Sequence, residues 1–171
     1  MIKKLLFVVF ISLTINPLNA DVPYYLDFKY ILNNSLAGKK AQETLRSTLD
    51  KGIKQIQQKE KSLLEEEKKI IQQKKVIKPE EYKKKVEELR KKVSSLQNER
   101  NKLLETTAKK RSKARSELLK NLNPIIKEFM QEKKIRMVVD KKSLLLADQN
   151  LDITNDIMER LNKKLKSIKL N

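Results

Sequence analysis

The sequence predicts a mostly α member of the α+β class: a small strand-containing body built from both ends of the chain, with a long antiparallel helical hairpin inserted between them. Three observations carry this. Leu49, Ile56, Leu63, Ile70 and Ile77 recur every seven residues, and Tyr82, Val86, Leu89, Val93, Leu96, Leu103 and Ala114 then follow a four-three pattern, the spacing of coiled-coil helices. Pro79 separates the two series; it lacks the N–H a continuing helix needs but suits the first turn of a new one. Short apolar runs of strand type occur only near the two ends of the chain.

Residues 1–20 read as a signal peptide. Lys3 and Lys4 precede an apolar run from Leu5 to Ile15 that is too short to span a membrane comfortably, and Ala20 offers a small residue for cleavage. Cleavage after Ala20 and a periplasmic location are expected. Residues 21–44 and 115–171 form the expected body. Within it Val22, Tyr24, Leu26 and Phe28 alternate over a predicted strand 22–28, with Pro23 at its entrance. A short helical or turn segment follows from Tyr30 to Leu36, which the Asn33-Asn34-Ser35 triplet caps or kinks.

Residues 45–114 form the expected arm, with its turn near 78–81. Lys74, Lys75 and Lys78 close the first helix while Glu80 and Glu81 open the second, so favourable charges sit at both dipole ends. Counting outward from the turn sets Ile77 near Tyr82, Ile70 near Leu89, Leu63 near Leu96 and Ile56 near Leu103. The seam is thin, because Glu60, Glu67, Lys74, Arg100 and Lys110 occupy positions where a strict heptad wants apolar side chains. At about 1.5 Å per residue each arm projects roughly 50 Å.

Beyond Ala114 the apolar face broadens through Leu118, Leu119, Leu122, Ile125, Ile126, Phe129 and Met130, the mark of a helix entering a core. Pro124 predicts a kink or a restart there, with Asn123 as cap. Two strands are expected next, over Ile135–Val139 and Leu144–Ala147, joined by Asp140-Lys141-Lys142-Ser143. A terminal helix with Thr154 as its cap then presents Ile157, Leu161, Leu165 and Ile168 on one face.

Composition argues against an enzyme. With no histidine, cysteine or tryptophan there is no ordinary zinc site, no thiol or imidazole to act as nucleophile or base, and no disulfide. Glu65-Glu66-Glu67 and Glu87-Glu88 lie among lysines and read as solvated helix faces, not paired catalytic acids. No glycine-rich phosphate loop is present, and no metal or other cofactor is expected.

The strands and terminal helix make a body near the size at which a lone domain becomes marginal, so oligomerisation through the strands is expected to complete its core and cover its sheet edges. The whole pattern resembles the Skp/OmpH periplasmic chaperones. Carrying the resemblance are the leader, Tyr25-Leu26-Asp27-Phe28 followed by Ile31-Leu32, the charged hairpin, Val138-Val139-Asp140 after a lysine-rich helix end, and Asp152-Ile153-Thr154 before the last helix. It departs in its low glycine content, its Pro79 at the tip and its heavy lysine load. The resemblance implies a homotrimer whose strands assemble a central barrel and whose hairpins surround a cavity. It further implies a holdase that binds unfolded outer-membrane proteins without ATP. Tyr24, Leu26, Phe28, Met137, Val138 and Val139 are then the expected trimer core.

Physical reasoning from the residues agrees with a holdase, since a client kept unfolded must be held by many weak, interchangeable contacts on mobile arms. Losing Lys3 and Lys4 with the leader takes the formal charge from +18 to +16, which attracts acidic partners and spreads the arms. Near the tip Lys74, Lys75, Lys78, Lys83, Lys84, Lys85, Arg90, Lys91 and Lys92 outnumber the carboxylates and are the candidate contacts for client or anionic lipid. Other classes stay open: a coiled-coil spacer of the envelope, and a protein binding anionic membrane or lipopolysaccharide. Nucleic acid is disfavoured by export and by the lack of aromatics interleaved with the basic residues.

Overall fold

The computed structural model describes residues 22–170; the expected leader and its cleavage after Ala20 lie outside the described residues. The element order is β1 (Tyr24–Leu26), α1 (Phe28–Asn34), α2 (Leu36–Gln73), α3 (Pro79–Glu132), β2 (Val138–Asp140) and α4 (Thr154–Lys164), with short 3-10 turns at Lys141–Ser143 and Gln149–Leu151. Long helices over a small two-stranded sheet give the mostly α, α+β architecture that the sequence predicts.

The first strand is shorter than the predicted 22–28. Asp27 accepts the Tyr30 N–H at 2.7 Å and caps α1, so Phe28 begins a helix and cannot continue the strand. Tyr25 and Leu26 are both buried, so β1 is covered on both faces instead of alternating. It pairs in parallel with β2, Tyr24 opposite Val138, Tyr25 opposite Val139 and Leu26 opposite Asp140. On its other side Tyr25 bridges Asp152 and takes the Ile153 N–H at 2.9 Å.

That arrangement explains why the predicted strand at Leu144–Ala147 is absent. Both edges of β1 are occupied, and the run follows a 3-10 turn that leads it away, with Leu145 and Leu146 almost wholly exposed. The preceding strand is likewise displaced from 135–139 to 138–140. Its late start follows from how α3 ends: the Ile135 N–H reaches the Met130 carbonyl at 2.8 Å and the Lys134 N–H reaches Gln131, the two bonds of a Schellman cap. Lys134 holds φ at 55°, a left-handed conformation that glycine usually supplies.

Helix α2 starts earlier than the predicted arm, at Leu36. Ser35 caps it by accepting the Gly38 N–H at 3.2 Å, and Asn162 of α4 accepts the Leu36 N–H at 2.8 Å. Gly38 is demanded by a close approach, since a Cβ there would sit 2.0 Å from the Leu32 carbonyl oxygen. The chain reverses over residues 74–78, ahead of the predicted 78–81, and Pro79 takes the first helical position of α3. Pro124 neither breaks nor restarts α3, and Asn123 is an interior residue. Leu122 and Ile125, 1% and 2% exposed, flank the proline, and their burial outweighs the one backbone hydrogen bond it removes.

The core packs Leu118, Leu122, Ile125 and Phe129 of α3 against Ile31, Ala37, Ile153, Ile157 and Leu161. Full burial of each large side chain contributes about 1.5–3 kcal/mol. Arg160 clamps α4 to α3 through two bonds to Glu132, at 2.9 and 2.6 Å, and lies over the Phe129 ring. Helix α4 ends at Lys164, so Leu165 and Ile168 follow it instead of extending its face; beyond them Leu170 packs on Ala41, Leu45 and Ala114.

Thr154 is not the cap of α4. Asp152 accepts the Thr154 N–H at 2.9 Å and also its hydroxyl, while that hydroxyl accepts the Asp27 N–H at 2.8 Å, tying the terminal helix to the end of β1. Lys141 adds an ion pair to Asp152 at 3.4 Å. Burial pushes the Asp152 carboxyl up, but the Thr154 hydroxyl and N–H and Lys141 together hold it below the ordinary aspartate value.

Two predictions follow from these geometries. A depressed folded pKa means that Asp152 adds stability above its unfolded value and loses it as pH falls through and below about 4. Asp152→Ala should cost about 1–2 kcal/mol in urea melts at pH 7, and the gap to the unmodified protein should shrink below pH 4. A gap that does not change with pH would show that the carboxylate charge is irrelevant. Lys134→Gly should raise stability by about 1 kcal/mol by relieving the left-handed backbone; a lower melting point would contradict the Schellman assignment.

Candidate functional site

The two arms are held in register by polar contacts on the rims of the apolar seam. Lys59 meets Glu99 at 2.5 Å, Glu66 meets Lys92 at 2.6 Å, and Gln73 accepts from Lys85 at 2.9 Å. Each step of seven along α2 is matched by seven back along α3, which keeps the register that the apolar spacing predicts. Glu60 and Arg100, two of the residues that interrupt the heptads, pair with each other at 2.8 Å. Lys74, another, places its amine 5.9 Å from the Tyr82 ring centroid. Interruptions of the seam are thus partly satisfied by one another.

Seam burial is sparse: Ile56, Ile70 and Leu96 are buried, while Leu63, Tyr82, Val86, Leu89 and Leu103 remain half-open. Beside the seam runs a groove of about 840 Å³ lined by both arms. Leu64, Ile71 and Val93 border it and are each more than half exposed, and Arg90, Arg100 and Glu67 stand on its polar edges. Leu64 and Ile71 follow Leu63 and Ile70 by one residue, so they turn about 100° away from the partner helix. Heptad reading missed them because it assigns apolar residues only to the seam; the doublets Leu63-Leu64 and Ile70-Ile71 were the available signal.

The predicted tip cations divide by environment. Lys85 pairs with Glu81, Lys91 with Glu87 and Lys92 with Glu66, and Lys74 lies by Tyr82. Lys75, Lys78, Lys83, Lys84 and Arg90 are exposed and make no ion pair among the described residues. Val76, 83% exposed, stands among them at the turn. No group of acidic residues among the described residues is placed to hold a metal ion.

The predicted trimer-core residues are also split. Leu26 is already buried in the chain's own core, with Tyr24, Phe28 and Val138 packed against it. Val139 is half-buried and Met137 is 57% exposed, so of the six only Met137 presents most of its surface outward. Leu145 and Leu146, absent from the predicted set, are more open than any of them.

This combination of an end-to-end body and a charged helical arm is that of a known class. The family model described as "Outer membrane protein (OmpH-like)" matches residues 24–161, and the chain belongs to that family. A crystal structure from Caulobacter crescentus CB15, described as a candidate outer membrane chaperone (OmpH-like), superimposes with a TM-score of 0.81 at 20% identity, covering 86% of this chain and 89% of that one. A search of curated proteins finds no match.

Leu64→Asn, Ile71→Asn and Val93→Asn together should leave the melting curve nearly unchanged, because exposed substitutions typically shift stability by about 0.5 kcal/mol or less each. Fluorescence of a dye that reports exposed apolar surface should fall substantially. Undiminished fluorescence would locate the sticky surface elsewhere, with Leu145 and Leu146 the first place to look.

Proposed function

We propose that the protein is an ATP-independent periplasmic holdase that binds unfolded outer-membrane proteins between helical arms and prevents their aggregation. Membership of the OmpH-like family supports a chaperone-type role. The observation that carries the reading is the open groove along the arm, where Leu64, Ile71 and Val93 are exposed beside Arg90 and Arg100. A shallow apolar strip with a charged edge grips many unfolded sequences weakly and none deeply, as a holdase requires. In this reading residues 21–44 and 115–171 form the body and 45–114 the client-binding arm.

The body acts as a homotrimer. Its sheet has two three-residue strands, and the exposed Met137, Leu145 and Leu146 beside β2 offer apolar surface for neighbouring copies to cover. Three arms around one axis then enclose a client from several sides, and their summed weak contacts give avidity. A second reading, binding to an anionic membrane or lipopolysaccharide surface, draws on the unpaired Lys75, Lys78, Lys83 and Lys84. It is compatible with the first.

The deciding measurement is suppression of aggregation when a denatured barrel protein is diluted into buffer. The mature protein should sediment as a trimer and suppress aggregation. Deleting Ile56 to Leu103 and closing the stubs with a short turn should preserve the trimer and abolish protection. Reversing Lys83, Lys84 and Lys85 to Glu should slow client capture at low salt, with the difference fading as the Debye length falls to about 8 Å. Full protection by the armless protein would refute the arm mechanism, and a stable folded monomer would refute the trimer.

A further inference from the structure

At the root of the hairpin, far along the arm from the client groove, a second furrow of about 730 Å³ opens between α2 and α3. Its apolar lining includes Leu32, Leu45, Leu49 and Leu118; Leu45 and Leu118 are themselves buried, Leu45 beside Leu170, while Leu32 and Leu49 keep part of their surface open. From Gly38 to Leu49 it runs about 17 Å at 1.5 Å per residue. Its volume falls within the roughly 300–1,000 Å³ of small-molecule sites.

The rim is strongly basic. Lys39, Arg46, Arg111 and Arg115 line it against a single acidic lining residue, Glu43. Arg111 and Arg115 lie one turn apart on α3, so both guanidinium groups flank the same stretch of groove. Arg111 has no ion pair among the described residues, and Arg115 meets only the face of Phe28, its guanidinium carbon 5.8 Å from the ring centroid. Arg46 comes no nearer to Asp50 than 3.8 Å, too far for a hydrogen bond. Three guanidinium forks therefore keep donors free for a planar anion.

From this charge complementarity over an apolar lining we propose that the root furrow is a binding site for a long-chain carboxylate, a fatty-acid anion, with its tail along the partly open Leu32 and Leu49 and its head between Arg111, Arg115 and Arg46. The chemistry selects against neighbours of that ligand. A neutral amphiphile cannot use the arginines, and a short carboxylate leaves the apolar lining wet. The site does not depend on the holdase reading, because it uses none of the residues of the arm groove.

Isothermal titration of the mature full-length protein with dodecanoate, below the concentration at which it forms micelles, tests the assignment. One dodecanoate per chain should bind, with hexanoate and an uncharged twelve-carbon amphiphile binding at least about tenfold more weakly. Arg111→Gln with Arg115→Gln should weaken dodecanoate by tenfold or more, and Gln42→Trp should do the same by filling the furrow while leaving every charge in place. Circular dichroism and sedimentation should match the unmodified protein in both variants. Binding unaffected by either variant, or equal binding of the uncharged amphiphile, would overturn the proposal. So would a change of oligomeric state in the Gln42→Trp variant, since the furrow would then be covered by a second copy of the chain.

Discussion

Everything in this molecule hangs on one short strand being held from both sides. Tyr25 and Leu26 are paired with Val139 and Asp140 on one edge and tied to Asp152 and Ile153 on the other, and Asp27 is fixed to Thr154. Each of these partners lies more than a hundred residues further along the chain. Because β1 and β2 are parallel, they cannot be joined by a tight turn and need a long crossover. The helical hairpin is that crossover, extended far beyond what closure requires. Closure entropy rises only with the logarithm of length, so each doubling of the insert costs about 0.6 kcal/mol. Long arms are thus inexpensive for the body, provided the body's own contacts hold.

The arm obeys a different balance. Its seam buries few residues, and its cross-arm ion pairs are exposed, where each contributes about 1 kcal/mol or less and weakens with salt. Glu60–Arg100 shows how little is gained by charge in the seam: the pair fixes register, but an apolar pair in its place would bury more. Register is therefore well specified while cohesion is low. That combination keeps two helices aligned and leaves the groove beside them open.

Much of this was legible because periodicity is a local property of the chain. The seven-residue repeats give the hairpin and its register, and Pro79 marks the start of α3 by its own chemistry, whereas Asp27 caps α1 inside what the alternation reads as a strand. Failures came where distant contacts decide. Leu144–Ala147 has every local property of a strand but no free edge of β1 to join, and Pro124 is carried through a helix by the burial of Leu122 and Ile125. Lys134 stands where glycine would have signalled the end of α3, so no residue type announced the Schellman cap. Thr154 looked like a cap, whereas its hydroxyl is spent on Asp27, which lies 127 positions away in sequence. At the candidate site the tip cations could be named from composition, but which were already paired depended on the register across the arms.

Charge is also distributed by position along the arm. Where α2 and α3 run side by side, Glu60, Glu66 and Glu99 are matched to Arg100, Lys92 and Lys59 across the seam. Toward the turn the matching stops, and Lys75, Lys78, Lys83 and Lys84 stand without carboxylate partners among the described residues. Lys83 and Lys84 lie in the second turn of α3 next to Lys85, where adjacent like charges repel, although Glu80, Glu87 and Glu88 stand four residues from them along the helix. The distal end therefore carries exposed positive charge that no cross-arm carboxylate offsets. At the root the same logic applies to Arg111 and Arg115, but there the cations border an apolar lining. An exposed basic tip attracts from a distance and suits a diffuse anionic surface, whereas a basic rim on an apolar furrow suits one bounded ligand with a tail.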